Sequence, residues 1–450
     1  MLFRSVISGA GPIGSLLALN LAKRGHTVKL LERRADFTQG MLYAGRSINL
    51  ALSDRGWRGL QQAGIAEEIH KISIPMYGRC IHHLDGTTAY MPYGKEGQAI
   101  YSVSRAAINI TLLNLAIKHP NIKVEFDQKT HHLDIKSKTL TTEHTRNGEL
   151  TQHKADLFFG SDGAFSGSRL SMQLQQDRFE YQQYYIPCSY KELIIPPDPE
   201  GQFKLEKNAL HIWPRGSYMM IALPNPDGNF TCTLFLPAEG PVSFSQLQTP
   251  QAVSDFFNQE FKDAAELMPT LCEDFFKNPT ASLVTVKCFP WVFQNTLALI
   301  GDAAHAIVPF YGQGMNCGFE DCVVLSELMD AHPGHWDTIL SKYQMLRKPD
   351  GDAIADLAVA NFFEMSASTA DPKFILQKKI EARFYENHPD KWIPLYSMVT
   401  FSPQIRYSEA LKQGQKQQEI MNRIMSRPDI ETMWDQPEVE NAILAAIHEH

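Results

Sequence analysis

The chain has 450 residues, 44% apolar and 20% charged, which describes a globular protein with a substantial core and room for two or three domains. A formal net charge of −8 argues against a nucleic-acid partner, which would call for a basic surface. No stretch approaches the roughly eighteen uninterrupted apolar residues of a membrane span, and a first strand starting at residue 2 leaves no room for a signal peptide.

In chain order, an apolar run from Leu2 to Ser8 predicts a strand that feeds into Gly9-Ala10-Gly11-Pro12-Ile13-Gly14. Leu16, Leu17, Leu19, Leu21 and Ala22 then suit a helix packed on a sheet, and a second strand, Thr27 to Leu31, ends in Glu32. This is the layout of a dinucleotide-binding unit. Gly9 permits the tight turn, Gly11 lets a pyrophosphate approach the backbone, and Gly14 lets helix and strand pack closely. Pro12 sacrifices no hydrogen bond in the first helical turn, whose N–H groups and dipole form an anion site. Glu32 stands where an acid can accept from ribose hydroxyls.

Further along, 45–61 reads as a strand or turn followed by a helix. Met76 to Tyr93 reads as a hairpin with Asp85-Gly86 at its turn, and Tyr101 to Ala116 as Ser104-Arg105 followed by a helix. From about Tyr181 to Pro290, alternating and aromatic runs predict a mostly antiparallel sheet, with the hairpin near residue 85 packed against it. A buried parallel-type strand returns at Thr296–Ile300, and the pattern beyond Met315 is helical. Residues 413–450 are polar, so no membrane anchor is expected. Seven scattered cysteines without a Cys-x-x-Cys pair point to a reduced cytoplasmic protein. His82-His83 and His131-His132 lack suitably spaced partners and read as surface or packing residues, so no metal is expected.

Two further segments identify the dinucleotide as FAD rather than NAD. Asp162-Gly163 begins one, and Gly301-Asp302 ends its own strand, where Asp302 can accept from a ribityl hydroxyl. The loop Pro309-Phe310-Tyr311-Gly312-Gln313-Gly314-Met315-Asn316 leads into a helix expected from Cys317 to Met329, with Asn316 a fair N-cap. Its glycines let backbone N–H groups approach a flat ring, and the helix start favours the negative charge of a reduced flavin.

These motifs together resemble the class A flavoprotein aromatic hydroxylases, over residues 1 to about 370. The resemblance implies an α/β fold: a Rossmann-like FAD-binding domain, an inserted mostly antiparallel β-sheet substrate domain and a C-terminal helical region. The expected bounds are 1–75, 98–178 and 291–360 for FAD, 76–97 and 179–290 for substrate, and 361–450 for the helical region. It also implies that NADPH visits without a Rossmann site of its own, that Asp162-Gly163 contacts both nucleotides, and that Arg105 lies near the FAD pyrophosphate. Arg105 and Arg169 have a plainer reading as solvated charges.

A narrower resemblance rests on GRSINLALS, IHHLDG, LHIWPR, MMIALPN, FTCTLF, GDAAHAIVPF, GQGMN and IPLYSMVTFS, and is to the kynurenine 3-monooxygenase family. It implies NADPH- and O2-dependent hydroxylation of L-kynurenine through a flavin hydroperoxide; the sequence leaves monomer or homodimer open. Carried over by position, Arg79 and Tyr93 match a clamp on the kynurenine carboxylate, and Asn361 and Tyr396 match two more substrate contacts. Met315 and Asn316 match flavin-contacting backbone, and Ala51 and Thr130 match further FAD contacts. Ile13, Arg33, Arg34, Arg46, Gly312 and Gly314 join the expected cofactor contacts. Phe235, Met220, Leu223, Pro309 and Phe310 are candidates for an apolar slot around the substrate ring. Tyr93 also suits a core position and Asn361 a solvated one. An NAD-dependent dehydrogenase, a flavin-fold binding protein without turnover and a hydroxylase of another aromatic acid remain the alternatives.

Overall fold

The computed structural model describes residues 4–38, 48–95, 97–365 and 371–449. Its first layer is a six-stranded sheet ordered Val292–Phe293, Leu297–Leu299, Leu157–Gly160, Arg4–Ser8, Thr27–Leu31 and Ile122–Glu125. All neighbours are parallel except the terminal pair, Val292–Phe293 with Leu297–Leu299. A parallel sheet is covered on both faces, which is why its strands read as apolar runs rather than alternations. The helix Pro12–Lys23 has nine of its twelve residues buried, Ser15 and Asn20 among them. The Rossmann-like expectation is met.

The second layer is a seven-stranded sheet ordered Ala281–Phe289, Glu180–Ile195, Phe230–Leu236, Met219–Pro224, Ala209–Pro214, Gly78–His82 and Thr88–Pro92. It is antiparallel throughout but for Ala209–Pro214 beside Gly78–His82. The hairpin around Gly86 therefore extends the sheet by hydrogen bonding instead of packing on its face. An open strand edge is satisfied by another strand, so the pairing went in-plane.

One face of this sheet carries three helices that the aromatic texture did not suggest: Pro250–Glu260, Lys262–Ala265 and Leu271–Lys277. Val253, Phe257, Phe261 and Ala264 follow a helical spacing and are buried with Trp213, Met220, Cys232 and Leu234. The opposite face carries Ile81, Ile212, Leu223 and Phe235, packed against Tyr311, Phe362 and Tyr407. Met220 thus belongs to the helix-covered face and is corrected out of the proposed apolar slot, because adjacent strand residues point opposite ways. The remaining cluster joins the helices Pro372–Asn387, Tyr407–Met425 and Pro437–Glu449. Among the described residues no helix is long and apolar enough to cross a membrane.

Phe257 is fully buried under this face, so Phe257→Ala should destabilise the fold by about 3–5 kcal/mol. Urea unfolding checks the loss, and the FAD content per folded chain should not change, since the side chain lies away from the glycine motifs.

Candidate functional site

The three glycine-bearing motifs meet at the carboxyl end of the parallel sheet. Gly9 has φ +98°, and a Cβ there would lie 2.5 Å from Ser161 O. A Cβ on Gly14 would lie 2.0 Å from Gly9 O, so only glycine allows this strand-to-helix closure. Gly11 differs: a Cβ there meets nothing within 4 Å, so its backbone borders open space. It is also the N-cap of Pro12–Lys23 and offers no side chain to the first N–H groups. The cradle fits an anionic diphosphate. Buried Glu32 accepts from Ala10 N at 3.1 Å and from Arg34 N and Nε at 3.0 and 2.8 Å.

Ile13 packs on the Gly301 strand end and on the helix Gly314–Ala331: Cβ atoms on Gly301 and Gly318 would come within 3.3 and 2.5 Å of it. Half-buried Asp302 follows Gly301, whose φ is +61°, and opens the short helix Asp302–His305. Asp162 turns inward, accepting from Ser168 N at 3.0 Å, from Ser168 Oγ at 3.1 Å and from Ser166 Oγ. Arg169 is not a solvated charge. It is buried and donates to Ala303 O and Ala164 O at 2.8 and 2.6 Å, tying the Asp162 segment to the Asp302 segment. Arg105 is exposed at the start of Arg105–Lys118. Thr130 pairs its hydroxyl with Ser8 Oγ and packs against Gly167. Arg33 and Arg34 are exposed, Arg34 lying over Phe37 at 4.2 Å. Arg46 lies outside the described residues.

In the second glycine loop, Gly312 has φ +66° and the helix Gly314–Ala331 is N-capped by Gln313, one turn earlier than the sequence suggests. Asn316 is therefore not the N-cap. Its side chain accepts from Ser53 N at 2.9 Å and donates to Ala51 O and Gly312 O at 2.8 and 2.7 Å. It clamps the loop to the strand Asn49–Leu52, bringing Ala51 within 3.1 Å of a Cβ at Gly312. Met315, next to Asn316, is buried in the core of the parallel sheet.

Beside this loop, four elements bring most of the expected substrate contacts together. Arg79 comes from Gly78–His82, Phe310 and Tyr311 from the turn Pro309–Tyr311, Asn361 and Phe362 from Trp336–Phe363, and Tyr396 from Leu395–Thr400. The Arg79 guanidinium lies 4.5 Å from the Tyr396 ring centre and 5.2 Å from that of Tyr93. Tyr396 stacks between Tyr93 and Tyr311, at 5.5 and 5.6 Å. Phe310 contacts Phe235 at 4.8 Å and Phe362 at 4.4 Å. Asn361 is buried, not solvated, and its Nδ2 donates to Phe310 O at 2.7 Å. Tyr311, Phe362 and Glu364 were not among the predicted contacts; adjacency to Phe310 and Asn361 was their only sequence signal.

Burial opposes the charge of Arg79, but the phenols of Tyr396 and Tyr93 and the Glu364 carboxylate outweigh it and raise its pKa. Burial pushes the Tyr93 and Tyr311 phenols well above their ordinary value, so both are neutral donors. Arg79 Nε and the Tyr93 hydroxyl are buried without a hydrogen-bond partner. An orphaned buried donor costs about 1–3 kcal/mol. The pair is complementary to an acceptor such as a carboxylate.

Behind the pocket runs a buried ionic chain. Arg347 donates to Asp321 Oδ1 at 2.7 Å and to Glu320 Oε2 at 2.6 Å, and Arg55 takes Glu320 Oε1 at 2.6 Å. His305 Nε2 meets Asp321 Oδ2 at 2.6 Å, and that same oxygen accepts from Gly301 N at 3.1 Å.

A model of the FAD binding domain family matches residues 4–358. Kynurenine 3-monooxygenase of Flavobacterium johnsoniae is 50% identical, covering 97% of this chain and 97% of its own. That of Christiangramia forsetii is 47% identical over 98% of each, and that of Dictyostelium discoideum 44% over 94% and 93%. The chain belongs to the kynurenine 3-monooxygenase family. Its cofactor is FAD, as the resemblance implies. Solved structures agree on the fold. A variant of Klebsiella pneumoniae HpxO complexed with FAD gives a TM-score of 0.69 at 15% identity over 90% of this chain and 99% of its own. A tetrameric form of 2-methyl-3-hydroxypyridine-5-carboxylic acid oxygenase gives 0.66 at 20% over 85% and 96%.

Arg347→Met would leave three buried carboxylates, those of Glu320, Asp321 and Asp350, short of a partner and should cost about 3–5 kcal/mol in urea unfolding. The chain also sets a pH dependence. For His305, burial lowers the pKa, but the Asp321 carboxylate and Cys317 outweigh it, leaving the pKa well above the usual value. Its contribution is fully present below the unfolded value of about 6.5 and is lost as pH rises through the folded one. For Asp321, burial raises the pKa, but His305 and Arg347 outweigh it and lower it. That contribution is present above about pH 3.9 and lost as pH falls through the folded value. Stability measured by urea should therefore decline as pH rises above about 6.5, the unfolded value of a histidine, and His305→Gln should flatten the decline.

Proposed function

We propose that this chain hydroxylates L-kynurenine at the ring carbon ortho to its amino group, giving 3-hydroxy-L-kynurenine, with NADPH and O2 as co-substrates. One oxygen atom enters the ring and the other leaves as water, while NADPH and a proton supply the two electrons and two protons. The observation that carries the reading is Arg79 held charged among three tyrosines, with its Nε and the Tyr93 hydroxyl unpartnered.

A guanidinium and a carboxylate form a charge-assisted, bidentate pair, and Tyr93 and Tyr396 donate to the remaining lone pairs. Glu364, close enough to support the charge on Arg79, is the complement of the substrate's α-ammonium group. Asn361 has its Nδ2 committed to Phe310 O, which leaves its amide oxygen to accept from the substrate. Phe235, Pro309 and Phe310, joined by Phe362, would hold the ring and exclude water.

Gly9, Gly11, Ile13 and Gly14 would carry the FAD diphosphate, with Arg105 beside it, and Glu32 the adenosine ribose, flanked by Arg33 and Arg34. Asp302 would accept from the ribityl chain, while Gly312, Gly314, Met315 and Asn316 present backbone to the flavin ring. Ala51, Thr130 and Asp162 complete the set. Bound FAD supplies the redox chemistry, taking hydride equivalents from NADPH and activating O2. The amino group of kynurenine makes the target carbon electron-rich, so the protein's task is to place that carbon and keep the site dry. The same reading includes a cytoplasmic location, supported by seven cysteines that are all free thiols.

The test is L-kynurenine-stimulated NADPH oxidation with stoichiometric 3-hydroxykynurenine. Turnover of another aromatic acid in its place would overturn the substrate assignment. A charge-assisted hydrogen bond is worth roughly 1.5–3 kcal/mol, so Arg79→Met should raise KM roughly ten- to hundredfold with FAD still bound. Loss of FAD at unchanged substrate affinity would contradict the role given to Arg79.

A further inference from the structure

The strand that offers Arg79 to the pocket carries a second cluster on its other face. Parallel pairing sets His211 of Ala209–Pro214 directly beside Cys80, and His82 follows two residues later, so all three share one side of the sheet. One donor atom from each lies within 4.8 Å of the others. We propose that Cys80, His82 and His211 form a zinc(II) site, independent of the flavin and of the pocket beyond the sheet.

The imidazoles are already oriented as metal ligands are. His82 Nδ1 faces Asp263 Oδ2 at 2.7 Å, and His211 Nε2 faces the carbonyl of Glu206 at 2.8 Å. Both partners are acceptors, and the Asp263 carboxylate also takes the Trp213 indole N–H at 2.9 Å. The outer nitrogens therefore carry hydrogens. That leaves the inner nitrogens, His82 Nε2 and His211 Nδ1, facing each other at 2.9 Å. Two neutral imidazoles so arranged would oppose their lone pairs, and the gap calls for a cation, either a shared proton or a metal. An outer N–H held by a carboxylate or a backbone carbonyl is the usual support of a metal-bound histidine.

Zinc suits the donors and the space. With Zn–N bonds of about 2.0–2.1 Å, tetrahedral geometry needs the two nitrogens about 3.3 Å apart, an opening of roughly 0.4 Å. Cys80 adds the soft thiolate that favours zinc over magnesium or calcium. Its half-exposed position leaves a fourth coordination place open to water. Trp213 stacks on His82 at 4.1 Å and holds the ring in plane with the site.

The test uses the FAD-loaded full chain dialysed against zinc sulfate, with zinc and FAD counted together. One zinc per FAD is expected, and Cys80→Ser, which alters a partly exposed side chain and leaves the fold intact, should weaken binding at least tenfold. A second measurement needs no variant: zinc should slow alkylation of Cys80 by iodoacetamide at least tenfold, read by mass spectrometry, and leave Cys272, also partly exposed, unaffected. Unchanged zinc content in Cys80→Ser, or equal alkylation of Cys80 with and without zinc, overturns the proposal.

Discussion

Glu320 and Asp321 sit side by side in the helix Gly314–Ala331, and between them they hold Arg55, Arg347, His305 and the backbone of Gly301. Every member is buried. In such surroundings a charge is tolerable only with its partners in place, so no element of the set can move alone. The helix that starts at the second glycine loop is thereby locked to the Gly-Asp strand end on one side. On the other it is locked to Trp336–Phe363, the helix that ends in Asn361 and Phe362. Asp350 continues the chain outward, meeting Arg347 at 3.2 Å and Arg406 at 3.1 Å.

Arg55 carries the constraint to the cluster around Arg79 and Tyr396. Besides Glu320 it donates to the carbonyls of Val399, Met398 and Ser402, at 2.7, 3.1 and 3.3 Å. Met398 and Val399 lie in the last turn of Leu395–Thr400, where carbonyls lack helical partners and a cation is favoured. The short helix that presents Tyr396 is thus fixed from behind by a residue of the helix Asp54–Ala63. Tyr407 covers the Arg55 guanidinium at 4.0 Å and reaches Gln313, the cap of the helix Gly314–Ala331, at 2.8 Å. The loop around Gly312 and the cluster around Arg79 and Tyr396 are parts of one buried polar assembly.

Much of the framework was legible because its signals are local. The Gly-x-Gly-x-x-Gly turn, the acid ending the second strand and the Gly-Asp strand end are each read within a few residues. What stayed hidden depends on pairings across the chain. Arg55, Arg169 and Arg347 look like surface charges in sequence, and only their distant carboxylates and carbonyls make them buried. Asn316 resembles a helix cap, yet its side chain bridges to Ala51 and Ser53, more than 260 residues away. His82 found its partner 129 residues on, through a parallel pairing that no hairpin pattern encodes. The helices over 250–277 were missed because phenylalanines suit strands by composition. Their spacing of four was the better signal.

The two faces of Gly78–His82 show how one strand serves unlike chemistries. Arg79 projects toward aromatic rings whose negative faces steady its charge, while its Nε waits for an acceptor. That arrangement is selective in itself. An aromatic ligand without a carboxylate would fill the apolar end and leave a buried cation and a buried phenol still unsatisfied, which penalises it beyond the contact it fails to make. A carboxylate on a ligand too short to reach Phe310 would forgo the apolar burial instead. Only a molecule that joins a carboxylate to an aromatic ring satisfies both ends at once, and rigidity conferred by the buried ionic chain keeps those ends at a set distance.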